Sequence, residues 1–379
     1  MIKVGITGQA GFVGTHLYNT LGLYPDRFVR VPFEDAFFSN EETLKSFVSS
    51  CDAIVHLAAM NRHNDPQVIY NTNLRLVKQL IAACELTGSK PHILFSSSTQ
   101  EERDNLYGKS KLEGRKFLEK WADQNNAQFS GLVIPNVYGP FGHPYYNSVV
   151  ATFCHQLTHN ETPRIEIDGP LNLIYVAELV QYFINIIEEL DNERKDDVVI
   201  QEIKVQHTIE LKVSKLLSIL ENYKNQYFEK GEIPALDTPF HRNLFNTFLC
   251  YIDHSTFFPF KLKLNTDERG SFVETVKLNS GGQVSFSTTV PGITRGNHFH
   301  TRKAERFAVI KGKARVDIRR IGIDKVQSFE LDGSQPSFVD MPIWYTHNIT
   351  NIGNEELYTI FWINEHYNPE DGDTYFEKV

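Results

Sequence analysis

Cysteine is scarce in this chain. Cys51, Cys84, Cys154 and Cys250 are the only four among 379 residues, and no two stand at metal-binding or redox spacing. That argues against a disulfide framework and for the reduced thiols of a cytoplasmic protein. No run of about 18 apolar residues occurs, so no segment is expected to span a membrane. No block of basic residues interrupts a net charge of −9, which argues against a nucleic-acid or anionic-membrane partner. Gly/Ser-rich linkers, repeats and low-complexity tracts are also missing. The N-terminal MIKVGITGQAGFVG has neither the charged n-region nor the cleavage site of a signal peptide. It is read as a strand running into a glycine loop.

What is present is the composition of a globular protein, 41% hydrophobic and 22% charged, in a chain too long for one ordinary core. Its first part alternates apolar runs (IKVGIT, RFVRV, AIVHLA, HILFSS, SGLVIP) with helical patterns. Such an order predicts an α/β Rossmann-like fold, a parallel sheet with helices on both faces. Two further helical stretches follow, over 211–226 and 239–251. From about Phe257 short alternating strands punctuated by Gly, Pro and Asn predict an all-β barrel or sandwich. The expected domains are therefore 1–250 and 251–379.

Gly8, Gly11 and Gly14 lie in TGQAGFVG, directly after the first strand and at the start of the first helix. Gly8 permits a tight turn, Gly11 lets the backbone approach a pyrophosphate, and Gly14 lets helix and strand pack closely. At the end of the second strand, Glu34 or Asp35 would bind ribose hydroxyls and favour NAD, whereas Arg30 would favour a 2′-phosphate. The third strand ends in small residues around Ala58, which would let an adenosine lie against the backbone.

Ser96, Ser97 and Ser98 close the HILF strand, and YGKSK opens the next helix. Tyr107 and Lys111 then share one helical face at i,i+4. A phenol beside an ammonium, with a serine to orient a carbonyl, is the equipment for moving a proton alongside a hydride. These elements resemble the extended short-chain dehydrogenase/reductases that act on nucleotide sugars, over about residues 1–250. Asn73 matches that family's helix asparagine, and Pro135–Pro140 (PNVYGP) its substrate-side segment. Val133 stands where the family has arginine, and Ala177-Glu178 where it has an aspartate pair. The resemblance implies catalysis by Ser98, Tyr107 and Lys111 and a substrate contact at Asn136. It also implies a dinucleotide against Gly8, Gly11, Phe12, Val13 and Gly14, then Leu57, Ala58, Tyr107, Lys111 and Pro135.

In the second part, His298 and His300 are two apart, so they share one face of a strand. Glu305 and His347 would join them from neighbouring strands. Three histidines and a carboxylate suit Zn²⁺ or another borderline divalent metal. The two blocks, H-x-H-x4-E-x6-G and P-x4-H, resemble the cupin pattern, with Trp344 in place of a glycine. DERGSFVE and RGNH resemble the dTDP-4-keto-sugar 3,5-epimerases, which implies sugar or diphosphate contacts at Arg269 and Arg295 and makes His298 either a metal ligand or a base.

Both parts in this order resemble bifunctional capsular-polysaccharide enzymes that join such a reductase to a cupin. The resemblance implies a UDP-linked 2-acetamido-2,6-dideoxy-4-keto-hexose as substrate. The cupin would epimerise C3 with zinc, and the first domain would reduce the C4 ketone with NADP(H), or alternatively NAD. The product would lie on the way to UDP-N-acetyl-L-fucosamine for capsule or O-antigen, and the enzyme would be a homodimer. The alternative is a monofunctional reductase whose second domain only binds sugar or holds the dimer.

Overall fold

A computed structural model describes residues 1–193, 198–268 and 270–379. The chain divides into two compact units. The first comprises Met1–Tyr138, Gly142–Val149 and Gly169–Lys212; the second comprises Gly139–Phe141, Val150–Asp168 and Val213–Val379.

The first unit is built on β1 (Ile2–Thr7), β2 (Phe28–Val31), β3 (Ala53–His56), β4 (His92–Ser98), β5 (Phe129–Ile134) and β8 (Ile200–Lys204). A small second sheet contains β6 (Asn136–Tyr138), β7 (Pro170–Tyr175) and β9 (Ile209–Lys212). The main sheet has the order β2-β1-β3-β4-β5-β8, and every pair in it is parallel. Successive side chains of a strand point to opposite faces, so apolar runs are what two covered faces require. Val55, Leu94 and Leu132 pack into one core with α1 (Phe12–Leu21) and α6 (Val176–Glu193). Their chain neighbours Ile54 and Ile93 pack into the other with α2 (Glu41–Ser49), α3 (Pro66–Thr87) and α4 (Leu106–Asn125). The connection reverses between β1 and β3, and open α/β sheets hold ligands at such a switch, beyond the carboxyl ends of the strands.

The second unit contains α5 (Val149–Thr158), α7 (Val213–Tyr223), α8 (Pro239–Leu249) and two five-stranded antiparallel sheets. The first sheet has the order β10-β18-β15-β20-β13, from Phe260–Lys261, Ser337–Met341, Glu305–Lys311, Leu357–Ile363 and Gln283–Thr289. The second has the order β17-β16-β19-β14-β21, from Val326–Asp332, Lys313–Arg320, Tyr345–Asn351, Thr294–Phe299 and Tyr375–Phe376. A β11–β12 hairpin pairs Asn265–Asp267 with Gly270–Phe272. Ala308, Val339 and Leu357 of the first sheet share a core with Val316, Leu331 and Ile349 of the second. The antiparallel β domain expected from the sequence is present.

Sequence texture changes near residue 250, but packing changes near residue 213. The turn Lys224–Phe228 after α7 carries Tyr227, whose hydroxyl donates to Asp340 Oδ2 at 2.6 Å. Asp340 in turn holds the buried Arg306 guanidinium through Nε at 2.8 Å and Nη2 at 2.9 Å. Arg306 Nη1 also donates to Gly231 O at 2.7 Å.

Candidate active sites

Gly8 has φ +71°, a conformation that favours glycine, and a Cβ there would stand 2.8 Å from Ala58 N. At Gly14 a Cβ would stand 2.3 Å from Gly8 O, and at Gly11 3.1 Å from the same oxygen. The loop is therefore closed on itself at the foot of α1, whose N-cap residue Gly11 offers no side-chain cap. The free N–H groups there suit an anion. A cleft of about 1240 Å³ runs over this loop. It is lined by Gly8, Gly11, Phe12, Val13 and Gly14, by Leu57, Ala58 and Pro135, and by Ser98, Tyr107, Lys111 and Asn136. The cleft thus gathers the residues that the family resemblance sets against a dinucleotide, together with the three expected catalytic side chains.

Asp35 also lines the cleft. Arg30 is engaged elsewhere: its guanidinium lies 4.3 Å from the Tyr18 ring centroid and donates to Tyr18 O at 3.2 Å.

The YGKSK helix start is held by several contacts. Asn105 caps α4 by accepting from Gly108 N at 2.7 Å. A Cβ on Gly108 would stand 1.9 Å from Gln100 O, so only glycine allows the turn after β4 to lie on this helix. Asn73 accepts from Met60 N at 2.7 Å and donates to Ser110 Oγ at 3.0 Å, tying the segment after β3 to α4. Lys111 Nζ donates to Ser96 O at 2.8 Å and lies 5.9 Å from the Tyr107 ring centroid. Burial lowers the lysine to about 8, against the opposing charge of Glu101. Burial also pushes the Tyr107 phenol up to about 12, with Tyr146 adding to the effect. Lowering of the phenol by its ammonium neighbour is not the dominant effect in the protein alone; desolvation of both groups is.

Ser98 Oγ accepts from Gln100 N at 3.2 Å. Ser97 donates to Glu101. Glu101 is gripped by Arg115 (Nε–Oε1 3.1 Å, Nη2–Oε2 2.8 Å), which also pairs with Glu202 at 2.8 Å. Sequence reasoning missed this buried group, because Glu101 and Arg115 belong to no motif. Glu178, in the place of the family's aspartate, accepts from Tyr175 N at 3.2 Å and Thr208 Oγ1 at 2.8 Å.

In the second unit His298, His300, Glu305 and His347 come together, one ligand atom from each lying within 4.8 Å of the others. β14 carries His298 and leads into His300, β15 begins with Glu305, and β19 carries His347. His347 Nδ1 faces Tyr345 O at 3.1 Å, and His300 Nδ1 faces Asp373 O. A ring nitrogen against a carbonyl oxygen carries the proton, which leaves both Nε2 atoms as lone pairs. Yet His347 Nε2 lies 3.1 Å from Glu305 Oε2, and His300 Nε2 lies 3.4 Å from Oε1 without a hydrogen bond. Lone pairs converging on a carboxylate require a second proton on each ring or a cation between them. Burial opposes ionisation of Glu305, but the neighbouring imidazoles of His300 and His347 outweigh it and hold the carboxyl below its usual range. Burial lowers His298 to about 4, helped by the other two imidazoles. A neutral imidazole is the form that binds a metal. The donor set and geometry therefore fit a divalent ion.

The turn before β19 keeps a glycine-like conformation without glycine. Trp344 has φ +61°, stacks on Phe299 with centroids 5.7 Å apart, and donates from its backbone to His300 O at 2.7 Å. Arg295 is exposed on β14, the strand that carries His298. Arg269 lies outside the described residues.

Comparison with known proteins fits this arrangement. Residues 4–200 match the NAD dependent epimerase/dehydratase family, and residues 265–375 match the polysaccharide biosynthesis C-terminal domain. The chain belongs to the NAD dependent epimerase/dehydratase family, so its cofactor class is a nicotinamide dinucleotide. Over 376 residues it is 32% identical to UDP-2-acetamido-2,6-beta-L-arabino-hexul-4-ose reductase of Pseudomonas aeruginosa, covering 99% of this chain and 98% of that protein. Among solved structures, the capsular polysaccharide assembling protein CapF of Staphylococcus aureus matches with TM-score 0.61 and 33% identity, over 100% of both chains. The spore coat polysaccharide biosynthesis protein SpsL of Bacillus subtilis is 27% identical over 123 residues, 30% of this chain and 82% of that protein. The resemblance to capsular-polysaccharide enzymes thus extends over the whole chain. Among the described residues no helix is long and apolar enough to cross a membrane.

Proposed function

We propose that the chain acts on a UDP-linked 2-acetamido-2,6-dideoxy-4-keto-hexose in two ways. Module 1–250 reduces the C4 ketone with NADP(H), NAD being the alternative. Module 251–379 epimerises C3 with a divalent metal, most suitably zinc. The product lies toward UDP-N-acetyl-L-fucosamine for capsule or O-antigen. One observation carries the reading: Ser98, Tyr107 and Lys111 line a dinucleotide-sized cleft in the chain that also clusters three imidazoles with a carboxylate.

The nicotinamide supplies a hydride when bound. Tyr107 then delivers a proton to the sugar O4, Lys111 supports the phenol's charge balance, and Ser98 orients the ketone. Asn136 contacts the sugar, and Arg269 and Arg295 contact the substrate of the second site. His298, His300, Glu305 and His347 would hold the metal, which supplies Lewis-acid polarisation of a carbonyl oxygen. The proton on C3 is acidic only while C4 is a ketone. Epimerisation therefore comes first, and reduction then fixes the stereochemistry. A homodimer is supported by the edge strand β13, where Val284 and Phe286 are exposed.

The test is to incubate the protein with candidate UDP-4-keto-sugars and each reduced cofactor. NADH or NADPH absorbance reports reduction, and solvent deuterium at C3 reports the second activity with cofactor left out. No bound metal and no exchange at C3 would favour the monofunctional reductase.

A further inference from the structure

We propose that Asp373, in the C-terminal tail, is a positioning residue for the metal site: its two ends hold His300 and the segment that follows it. This rests on the metal-binding reading of the four-residue cluster. His300 is the first residue beyond β14, so the strand's ladder does not fix it. The Asp373 carbonyl accepts from His300 Nδ1. Its carboxylate takes four further donors. Oδ1 accepts from Thr301 N at 3.1 Å and Thr301 Oγ1 at 2.7 Å, and Oδ2 accepts from Arg302 N at 3.0 Å and Lys303 N at 3.1 Å. Asp373 is buried and has φ +40°, a left-handed conformation that turns carbonyl and side chain toward the same stretch.

The contrast with His347 sharpens the case. His347 orients itself against Tyr345 O, two residues back on its own strand. His300 depends on a residue 73 positions away. Beyond Asp373, β21 pairs with β14 at His298↔Phe376 and Phe299↔Tyr375, so the tail is anchored beside both histidines. Partners that fix a ligand's tautomer and ring orientation typically contribute about 10- to 100-fold to metal affinity.

The experiment measures zinc affinity of the full chain by competition with a chromophoric chelator, and the Co²⁺ d–d spectrum of the same samples. Asp373→Ala is expected to weaken zinc by about 10- to 100-fold and to alter the cobalt bands. Asp373→Asn tolerates the same backbone conformation and keeps one acceptor oxygen, so it should fall between. Asp371→Asn, which loses only an exposed pair with Arg302, should match the unmodified protein. Far-UV circular dichroism identifies folded samples, and if the alanine variant does not fold, the asparagine variant decides. Unmodified protein that binds zinc while both folded Asp373 variants bind it equally well, with unchanged cobalt bands, overturns the positioning role. Unmodified protein that binds neither metal overturns the metal reading itself.

Discussion

The two candidate sites are assembled by different physical means. In the first unit a wide cleft lies over strand ends and a helix start, and its chemistry depends on groups pushed off their ordinary charge preferences by burial. Tyr107 is held as a phenol, and burial brings the Lys111 ammonium down to about 8. Such a site is completed by its ligands, which bring charge and exclude water. In the second unit the four side chains are already within ligand distance, with two imidazole protons committed to carbonyls and a carboxylate kept ionised. A large anionic dinucleotide needs backbone room; a small cation needs lone pairs aimed at one point.

If the two sites are independent, they can be broken one at a time. Removing the acid should have the largest effect: Tyr107→Phe is expected to lower ketone reduction by about 10²- to 10⁴-fold while cofactor binding stays nearly unchanged. Stopped-flow oxidation of the reduced cofactor measures the first, and cofactor fluorescence titration the second. The same variant should leave deuterium entry at C3 untouched. Conversely, His347→Ala or chelation should abolish that exchange and leave the Tyr107-dependent step intact when an already epimerised substrate is supplied. Loss of exchange in Tyr107→Phe, read by mass spectrometry, would merge the two sites into one.

Gly14→Val probes the cleft's floor. The new Cβ would meet Gly8 O at 2.3 Å, so helix and loop must separate. Overpacking of this kind costs about 1–3 kcal/mol, or roughly 5- to 150-fold in dinucleotide affinity if the loop alone absorbs it. Isothermal titration of the folded variant checks it, and unchanged affinity would show that the loop does not carry the dinucleotide.

The smallest effect concerns pH. Burial brings Lys111 down to about 8, and the Glu101 charge opposes that fall. Other ionisable groups around the lysine are Tyr107, and His56, which burial holds neutral with a value of about 3. In Glu101→Gln the opposing charge is gone, so Lys111 loses its proton at lower pH. The alkaline limb of kcat/KM for reduction should then move toward acid, with the acid limb unchanged. A limb that stays in place would show that Lys111 ionisation does not limit the reaction.

Much of this architecture was legible in the chain itself. The apolar runs at β1 to β5 announce a sheet covered on both faces, and Gly8, Gly11 and Gly14 announce its ligand loop, because local geometry demands those residue types. The same holds for the i,i+2 pair His298 and His300. Groups joined by long-range contact left no such trace. Glu101 and Arg115 meet because a turn folds onto α4, and Asp373 reaches His300 from the far end of the β unit. Arg30 has the right composition for a phosphate contact, but it is occupied by Tyr18. Trp344 breaks the family pattern in letters, yet takes the backbone conformation a glycine would supply.

The Tyr227–Asp340–Arg306 group bears on how the protein can be cut. A fragment beginning at residue 251 would carry Arg306 and Asp340 but neither Tyr227 nor the Gly231 carbonyl. The Arg306–Asp340 pair would lose one acceptor for its guanidinium and one donor to its carboxylate, and buried hydrogen-bonding groups left unmade are costly. A fragment beginning at Val213 keeps the whole group. Domain exchange between relatives, or separate production of the β unit, is therefore better planned around the start of α7 than around the change in sequence texture.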